Sequence, residues 1–366
     1  MIELKKRLFA GTAAVLMAAV LFLPVRAEAI SAEKAIVMDA ATGRVIFEKN
    51  ADSQSLIAST TKIMTALIVC EQCNVLDRMR IPKEAVGIEG SSMYLQEGEV
   101  LTLQELLYGL MLRSGNDAAV ALAIYCGGTV EGFAELMNDK AWNLGLTGTH
   151  FVNPNGLDAP GHYSTARDLA VLAAYAMENP IFSRTVSAKT VNVGNRSLRN
   201  HNKLLWQIEG ADGVKTGYTK AAGRILVSSA VRNGRRIVAV TINAPDDWSD
   251  HASLLNEGFS RYEVKRILSE GDTIGELEIA GGQAGRVQLL AAENVDYPVT
   301  KDERIEIHIA GTGFVYAPVA EGAQAGFAHI CIDGVSVGKV SLIYGKTVEK
   351  IPETEKSFWD RLVGSE

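Results

Sequence analysis

The sequence has 366 residues, which is long enough for about two domains on a prior of roughly 150 residues each. Its composition is that of a globular protein, with 47% hydrophobic and 22% charged residues and no low-complexity tract. The formal net charge of −7, with no basic block beyond the N-terminal segment, argues against nucleic-acid binding.

The first 29 residues are typical of a secretory signal peptide. A basic stretch, Lys5 to Arg7, precedes an apolar run from Leu8 to Leu23, and Ala27-Glu28-Ala29 matches an A-x-A cleavage signal. The alternative is an uncleaved N-terminal anchor, although the apolar run is short for a membrane span. In both cases we expect an exported, extracytoplasmic protein, located in the cell wall or on the outer face of the cytoplasmic membrane.

Hairpins are predicted near both ends of the first part of the mature chain. Two β-favouring runs, Ala35 to Asp39 and Val45 to Glu48, flank a turn that contains glycine. A second pair of runs, Ile225 to Val231 and Ile237 to Asn243, flanks Asn233-Gly234, a dipeptide typical of a type I′ turn.

Between these hairpins the apolar residues recur with helical periodicity. The helical stretches are Thr60 to Cys70, Thr102 to Tyr125, Val130 to Leu144 and Ala166 to Met177. Glu105 three residues after Thr102 forms a capping-box pattern, and Ser164 or Thr165 can cap the last helix. Strands at both ends with helices between them predict an α+β fold, in which an antiparallel sheet carries an inserted helical subdomain.

The pattern changes after about Tyr262 to short alternating runs between glycines, which predicts a small all-β C-terminal domain over residues 263–348. The runs are Leu277 to Ile279, Arg286 to Leu290, Ile305 to Ile309 and Val335 to Tyr344. The remaining tail, residues 349–366, places apolar side chains on one face of a possible short amphipathic helix that could contact a membrane peripherally. Packing against the β-domain is the alternative for this tail.

Four cysteines are few for an exported protein. Cys70 and Cys73 form a C-x-x-C pattern, which could indicate a redox pair. The pattern lies at the far end of an apolar helix rather than at a helix N-terminus, where thiolates are stabilised, so we expect buried thiols. The six histidines show no spacing typical of metal ligands, and we expect neither a metal nor a cofactor.

The first of three chemistry-bearing segments is Ser59-Thr60-Thr61-Lys62. On a helix the Ser59 and Lys62 side chains share one face, and the first turn offers free backbone N–H groups to developing negative charge. A serine needs a base to become a nucleophile, and a lysine with a lowered pKa can be that base. A second S-x-x-K, Ser31 to Lys34, runs into a predicted strand and lacks the apolar helix.

Ser114 and Asn116 form the second segment, in a turn between the helical stretches that end at Leu112 and begin at Asp117. Such a turn can direct both side chains into a cleft, where the hydroxyl relays a proton and the amide holds a carbonyl group. Capping of an ordinary helix–helix turn is the alternative for this segment alone.

Lys215, Thr216 and Gly217 form the third segment, at or beside the edge of the sheet. Lys215 would hold an anion and keep Lys62 neutral through like-charge repulsion. Thr216 adds a hydroxyl, and Gly217 lets a substrate backbone approach and pair with the strand edge. The three segments in this order predict acyl transfer through a serine ester.

With these segments the chain resembles the penicillin-recognising serine D,D-peptidases, and within them the low-molecular-weight D-alanyl-D-alanine carboxypeptidases. The resemblance is carried by Ile57 to Thr65, Met93-Tyr94-Leu95 with Gly98, Leu107 to Met111 and Asp212 to Thr219. It extends over nearly the whole mature chain, and the part after Tyr262 resembles the family's C-terminal domain. It implies the penicillin-binding, β-lactamase-like transpeptidase fold, with the catalytic domain over residues 30–262.

The resemblance also implies roles for individual residues. Ser59 would be the acyl-enzyme nucleophile and Lys62 the proton acceptor, and Ser114 with Asn116 would form the second catalytic element. The substrate-binding residues would be Lys215, Thr216, Gly217 and Tyr218, and the backbone N–H groups of Ser59 and Tyr218 would form the oxyanion hole. The implied substrate is a peptidoglycan stem peptide ending in D-Ala-D-Ala, and β-lactams would acylate Ser59 as covalent inhibitors.

One departure concerns the substrate's terminal carboxylate. Some family members bind it with an arginine before the third segment and another beyond the following hairpin. The corresponding regions here are Asn200-His201-Asn202-Lys203 and Pro245-Asp246-Asp247-Trp248, which contain no arginine. The group that receives the carboxylate is therefore open.

Three other functions share parts of this pattern. A class A β-lactamase needs a glutamate in an E-x-x-L-N type loop, and none lies between the second and third segments. A penicillin-binding sensor would be acylated without turnover, and a D,D-endopeptidase would cut cross-links with the same residues. Release of D-alanine from a D-Ala-D-Ala peptide separates the carboxypeptidase from the sensor.

Overall fold

The computed structural model describes residues 30–311 and 313–352, which divide into two compact units. The first unit contains residues 30–37 and 47–256, and the second contains residues 38–46 and 257–352. The predicted signal peptide and residues 353–366 of the predicted tail lie outside the described residues.

A five-stranded antiparallel sheet with the strand order β2-β1-β9-β8-β7 organises the first unit. The strands of residues 30–242 are β1 (Lys34–Asp39), β2 (Val45–Lys49), β3 (Arg78–Arg80), β4 (Val100–Thr102), β5 (Thr190–Val193), β6 (Arg196–Arg199), β7 (Ala211–Thr219), β8 (Gly223–Arg232) and β9 (Arg235–Ile242). Both predicted hairpins are confirmed, and the turn between β8 and β9 has positive φ at Asn233 (51°) and Gly234 (77°), as a type I′ turn requires. The sequence did not indicate the short pairs β3–β4 and β5–β6.

The predicted helices lie between the two hairpins. The helices of residues 62–261 are α1 (Lys62–Gln72), α2 (Leu103–Leu112), α3 (Asn116–Gly127), α4 (Val130–Asn143), α5 (Ala166–Glu178), α6 (Pro180–Ser187), α7 (Leu204–Gln207) and α8 (Asp247–Arg261). Thr102 and Glu105 form the expected capping box, and Thr165 rather than Ser164 caps α5. Helices α6, α7 and α8 were not predicted from the sequence.

Helix α1 is buried on every side, because residues 62–70 are all shielded from solvent. Lys62 is therefore enclosed in the core of the unit together with the apolar side chains that follow it. No single helix in the described chain is long and apolar enough to cross a membrane. The bent pair α3 and α4, at 81° to each other, meets that test of length and composition only when taken together.

Cys73 and Cys126 form a disulfide, so the expectation of buried thiols is wrong for this pair. Cys73 directly follows α1 and Cys126 lies in the last turn of α3, a pairing between helix ends that sequence spacing does not reveal. Cys70 and Cys331 are buried free thiols, as expected. Burial, with a smaller contribution from Glu71, raises the pKa of the Cys70 thiol to about 12.

After the end of α8, the second unit is an all-β domain, which confirms the predicted architecture. Its strands are β10 (Glu263–Leu268), β11 (Thr273–Ala280), β12 (Arg286–Ala291), β13 (Val295–Val299), β14 (Ile305–Ala310), β15 (Phe314–Tyr316), β16 (Gln324–Ile332) and β17 (Val335–Tyr344). Six of them form a sheet in the order β14-β16-β17-β12-β11-β15, and β10 pairs with β13. Alternate side chains such as Leu277, Ile279, Val287 and Leu289 are buried in one apolar core.

Candidate active site

Ser59 lies in a 3₁₀ turn, Ala58–Thr61, that leads directly into α1. The α-helix thus begins at Lys62, two residues later than predicted. Ala58 has a φ of 44°, in the left-handed region that residues with a Cβ rarely occupy. The Thr60 hydroxyl donates to the Ile57 carbonyl at 2.6 Å, which closes the turn and fixes the position of Ser59.

Three oxygen atoms surround the Lys62 amine in this buried site. Its Nζ lies 3.0 Å from Ser59 Oγ, 2.7 Å from Asn116 Oδ1 and 2.5 Å from the Asn155 carbonyl oxygen. The Asn116 amide also donates to the Glu89 carbonyl, so its oxygen faces the lysine. A neutral amine has two N–H groups and one lone pair. Because the two carbonyl oxygens can only accept, they take both N–H groups and leave the lone pair for the Ser59 hydroxyl proton.

The surroundings of Lys62 favour that neutral form. Burial lowers the pKa of Lys62 well below its ordinary value, and the charge of Lys215 lowers the pKa further. Asp117 opposes this shift but does not offset it. The predicted like-charge effect of Lys215 on Lys62 is thus present, although burial has the larger influence.

Ser114 and Asn116 lie in the turn between α2 and α3, where the sequence placed them. Ser114 has a φ of 60° and is buried, and Asn116 is the first residue of α3. The neighbouring Asp117 carboxylate accepts hydrogen bonds from the backbone N–H groups of Met93 and Leu95. The turn therefore also anchors the segment that carries Met93-Tyr94-Leu95.

Lys215, Thr216, Gly217 and Tyr218 all belong to β7, which is an edge strand of the five-stranded sheet. Lys215 is 1% exposed and its Nζ donates to the Thr216 carbonyl at 2.7 Å. Burial lowers the pKa of Lys215 to about 7. A Cβ at Gly217 would lie 3.3 Å from the Ile57 carbonyl oxygen, so the glycine allows β7 to pack closely on the Ser59 turn.

A cavity of about 300 Å³ opens over these elements. Its lining consists of Ser59, Ser91, Ser114, His201, Thr216, Gly217, Tyr218, Arg224, Asp247 and Trp248. Five of the eight predicted site residues therefore face one cavity, and Lys62, Asn116 and Lys215 are buried close to that group. Ser91 and Arg224 are site residues that were not predicted from the sequence.

The second S-x-x-K pattern is not organised in this way. The Ser31 hydroxyl donates to Asp250 at 2.8 Å, whereas the Lys34 amine, on β1, contacts the Gln54 carbonyl and the Ser55 hydroxyl. The two side chains thus have different partners, and no apolar helix places them on one face.

A loop of residues 150–164, which was not predicted from the sequence, supports the Ser59 turn. The Val152 backbone N–H donates to His162 Nδ1 at 3.0 Å, so Nε2 carries the proton and donates to Thr61 Oγ1 at 2.8 Å. Burial lowers the pKa of His162 to about 4, which keeps it neutral. The same loop supplies the Asn155 carbonyl to Lys62. The asparagine- and glycine-rich stretch Asn153-Pro154-Asn155-Gly156 is the sequence signal for such a tight loop.

Gly156 offers a direct test of this support. A Cβ at Gly156 would lie 1.9 Å from the Ala58 carbonyl oxygen, and its φ is +85°. We expect Gly156→Ala to destabilise the protein by about 3 kcal/mol or more and to slow acylation, because the Ser59 turn must shift. Gly161→Ala is the matched control, since Gly161 has a φ of +82° but no neighbour nearer than 3.8 Å. Thermal unfolding and penicillin-labelling rates measure both effects, and equal losses in the two variants would contradict the steric argument.

Comparison with known proteins identifies the family. Residues 23–246 match the family model described as D-alanyl-D-alanine carboxypeptidase. The chain belongs to this family. Residues 262–350 match the C-terminal domain of penicillin-binding protein 5.

Individual relatives extend over most of the chain. The D-alanyl-D-alanine carboxypeptidase DacF of Bacillus subtilis is 31% identical over 319 residues, which cover 83% of this chain and 82% of that protein. DacC of Escherichia coli is 32% identical over 345 residues, covering 89% and 86% of the two chains. The crystal structure of penicillin-binding protein 5 from Haemophilus influenzae superposes with a TM-score of 0.77 at 29% identity, covering 90% of this chain and all of that chain.

These comparisons confirm the predicted family, fold class and enzyme class. The chain is a serine-type D-Ala-D-Ala carboxypeptidase, a hydrolase of the low-molecular-weight penicillin-binding proteins. The family acts on D-Ala-D-Ala peptides of peptidoglycan and binds β-lactams.

Proposed function

We propose that Ser59 is the acyl-enzyme nucleophile and that Lys62 is the base that activates it. The observation that carries this assignment is the 3.0 Å contact between Lys62 Nζ and Ser59 Oγ, with both N–H groups of the neutral amine engaged elsewhere. Lys62 takes the hydroxyl proton while Ser59 Oγ attacks the carbonyl carbon of the penultimate D-alanine. Lys62 then carries the proton that the leaving group needs.

The substrate backbone would extend along β7 and pair with it by β-augmentation, because β7 is the last strand of the five-stranded sheet. The backbone N–H groups of Ser59 and Tyr218 would bind the oxygen of the tetrahedral intermediate. Lys215, Thr216 and Gly217 would complete the binding strand. Burial lowers the pKa of Lys215 to about 7, and the negative charge of a bound substrate would raise this pKa and favour the protonated amine.

Ser114 would act on the leaving group, and Asn116 would act on the acyl part of the substrate. The Ser114 hydroxyl can relay the proton to the amine of the departing D-alanine, and Asn116 holds Lys62 and the substrate amide. Water then attacks the ester carbonyl with Lys62 again as base, which releases the shortened peptide and regenerates Ser59.

We further propose that residues 30–262 form the catalytic domain, residues 263–348 the C-terminal domain and residues 349–366 a tail with possible peripheral membrane contact. An extracytoplasmic location, in the cell wall or on the outer face of the cytoplasmic membrane, agrees with the signal-peptide pattern. The Cys73–Cys126 disulfide supports the same location, because disulfides persist in oxidising compartments. We propose no nucleic-acid partner.

Mass spectrometry tests the assignment on the unmodified protein. After exposure of the mature chain to benzylpenicillin, we expect one covalent adduct, on the peptide that contains Ser59. The same preparation releases D-alanine from a peptide ending in D-Ala-D-Ala. An adduct on Ser114 or on another peptide would contradict the assignment of Ser59, and an adduct without D-alanine release would favour a penicillin sensor.

A further inference from the structure

The terminal carboxylate of the substrate needs a cation near the cavity, and the two regions expected to supply an arginine contain none. Arg224, on β8, lines the cavity together with Ser59, Ser114 and Thr216. We propose that Arg224 binds the substrate's terminal carboxylate and that Asp247 and Trp248 hold its guanidinium in place. This inference rests on the proposed function, since it concerns the same cavity and the same substrate.

Strand register places Arg224 beside the substrate-binding strand. Arg224 pairs directly with Tyr218, and Thr216 pairs with Leu226 two residues further along β8. Directly opposed residues of an antiparallel pair lie on the same face of the sheet, and side chains two residues apart share that face. Arg224 is therefore on the face to which Thr216 and Tyr218 belong, one strand away from the sheet edge.

The guanidinium is held from one side. Nε and Nη2 of Arg224 donate to the same Asp247 oxygen, at 3.1 and 2.6 Å. The Trp248 ring centroid lies 5.8 Å from Arg224 Cζ, within range of a cation–π contact. The Asp247 side chain is 3% exposed, whereas that of Arg224 is 42% exposed. One edge of the guanidinium is therefore fixed by Asp247, and the rest of the group stays accessible. This arrangement suits an arginine that binds a carboxylate in the cavity.

Charge also favours Arg224 over the other candidates in the cavity. Burial, Lys215 and Arg113 lower the pKa of His201 to about 4, so this imidazole is neutral and offers no cation. Lys215 does not line the cavity: it is buried, which lowers its pKa to about 7, and its amine donates to the Thr216 carbonyl. An arginine guanidinium stays protonated at neutral pH, and its planar N–H groups match the geometry of a carboxylate. Among the residues that line the cavity, Arg224 is the permanent cation.

Two thioesters of the same N-acyl-D-alanine test the assignment by kinetics. One has thioglycolate as its leaving group, which places a carboxylate where the terminal D-alanine has one, and the other has ethanethiol, which has none. We expect Arg224→Gln to lower kcat/KM for the thioglycolate ester about 10- to 100-fold and for the ethyl thioester less than about threefold. Arg224→Gln/Asp247→Asn avoids an unpaired buried carboxylate and should show the same selective loss.

Matched controls and a binding assay complete the test. Arg232→Ala, at the other end of β8, should leave both thioester rates unchanged. Asp247→Asn should lower the preference for the thioglycolate ester mainly through KM, because it loosens the guanidinium without removing it. Equal losses on both thioesters, or an unchanged preference in Arg224→Gln, would overturn the assignment.

Binding without turnover separates this assignment from the proposed mechanism. In a Ser59→Ala background, NMR titration compares a peptide ending in D-Ala-D-Ala with its C-terminal carboxamide. We expect the preference for the free acid to be lost on adding Arg224→Gln, and a retained preference would refute the role of Arg224. A wild-type protein that hydrolyses neither thioester would instead contradict the proposed function, while this titration still decides the carboxylate site.

Discussion

Ser59→Ala should lower D-alanine release by about 10⁴-fold or more and abolish covalent labelling by fluorescent penicillin. The substitution removes the single atom that forms the ester, whereas Lys62 keeps its hydrogen bonds to Asn116 and to the Asn155 carbonyl. No other hydroxyl has the same relation to Lys62 Nζ, because the remaining contacts of this amine in the described chain are carbonyl oxygens. The measurements are D-alanine release and gel fluorescence after penicillin exposure.

Two serine variants serve as controls for this loss. Ser31→Ala changes the other S-x-x-K pattern, whose hydroxyl contacts Asp250, and should retain full labelling. Ser114→Ala should slow turnover but leave the label on Ser59, because Ser114 acts on the leaving group. Labelling that persists in Ser59→Ala, or disappears in Ser114→Ala, would contradict the division of roles.

Local sequence patterns are sufficient to predict most of the architecture. The capping box at Thr102, the Asn233-Gly234 turn and the helical periodicity are all short-range signals that the structure confirms. Alternation between glycines likewise predicts the all-β domain after Tyr262. These signals succeed because they reflect the backbone conformation of adjacent residues rather than contacts between distant ones.

Contacts between distant segments account for what the sequence analysis missed. Asn155 contributes a backbone carbonyl to Lys62, and no side-chain pattern can indicate that. Arg224 becomes relevant only when strand register and the bond to Asp247 are known. The Cys73–Cys126 pairing similarly depends on how two helices pack, which explains why spacing alone gave the wrong state for these cysteines.

The two lysines of the site illustrate how tertiary burial creates its chemistry. Sequence places Lys62 one turn after Ser59 and Lys215 on a distant strand, but neither position alone specifies a protonation state. Full burial in one unit lowers the pKa of both amines, and the Coulombic effect of Lys215 on Lys62 adds to that. The reactive state of Lys62 is thus a property of the folded core rather than of the S-x-x-K motif.

Lys62→Ala should reduce the acylation rate of Ser59 about 10²- to 10⁴-fold, the range expected for loss of a general base. The pH dependence provides the sharper test. Lys62 accepts a proton only when neutral, so kcat/KM of the wild type falls as pH decreases through the lowered pKa of Lys62. In Lys62→Ala this fall of kcat/KM at low pH, the acid limb of the profile, should be absent, because the residual reaction no longer depends on that amine.

Two further variants test whether the loss comes from the missing base, from the changed size of the side chain at position 62, or from the removal of any lysine. Lys62→Arg keeps a long cationic side chain, but a guanidinium does not lose its proton in this pH range, so the loss should match that of Lys62→Ala. Lys34→Ala, in the unused S-x-x-K pattern, should retain the wild-type rate and its acid limb. If Lys62→Ala kept the wild-type pH profile, another group would have to be the base, and the 3.0 Å contact with Ser59 would then serve only to position the hydroxyl.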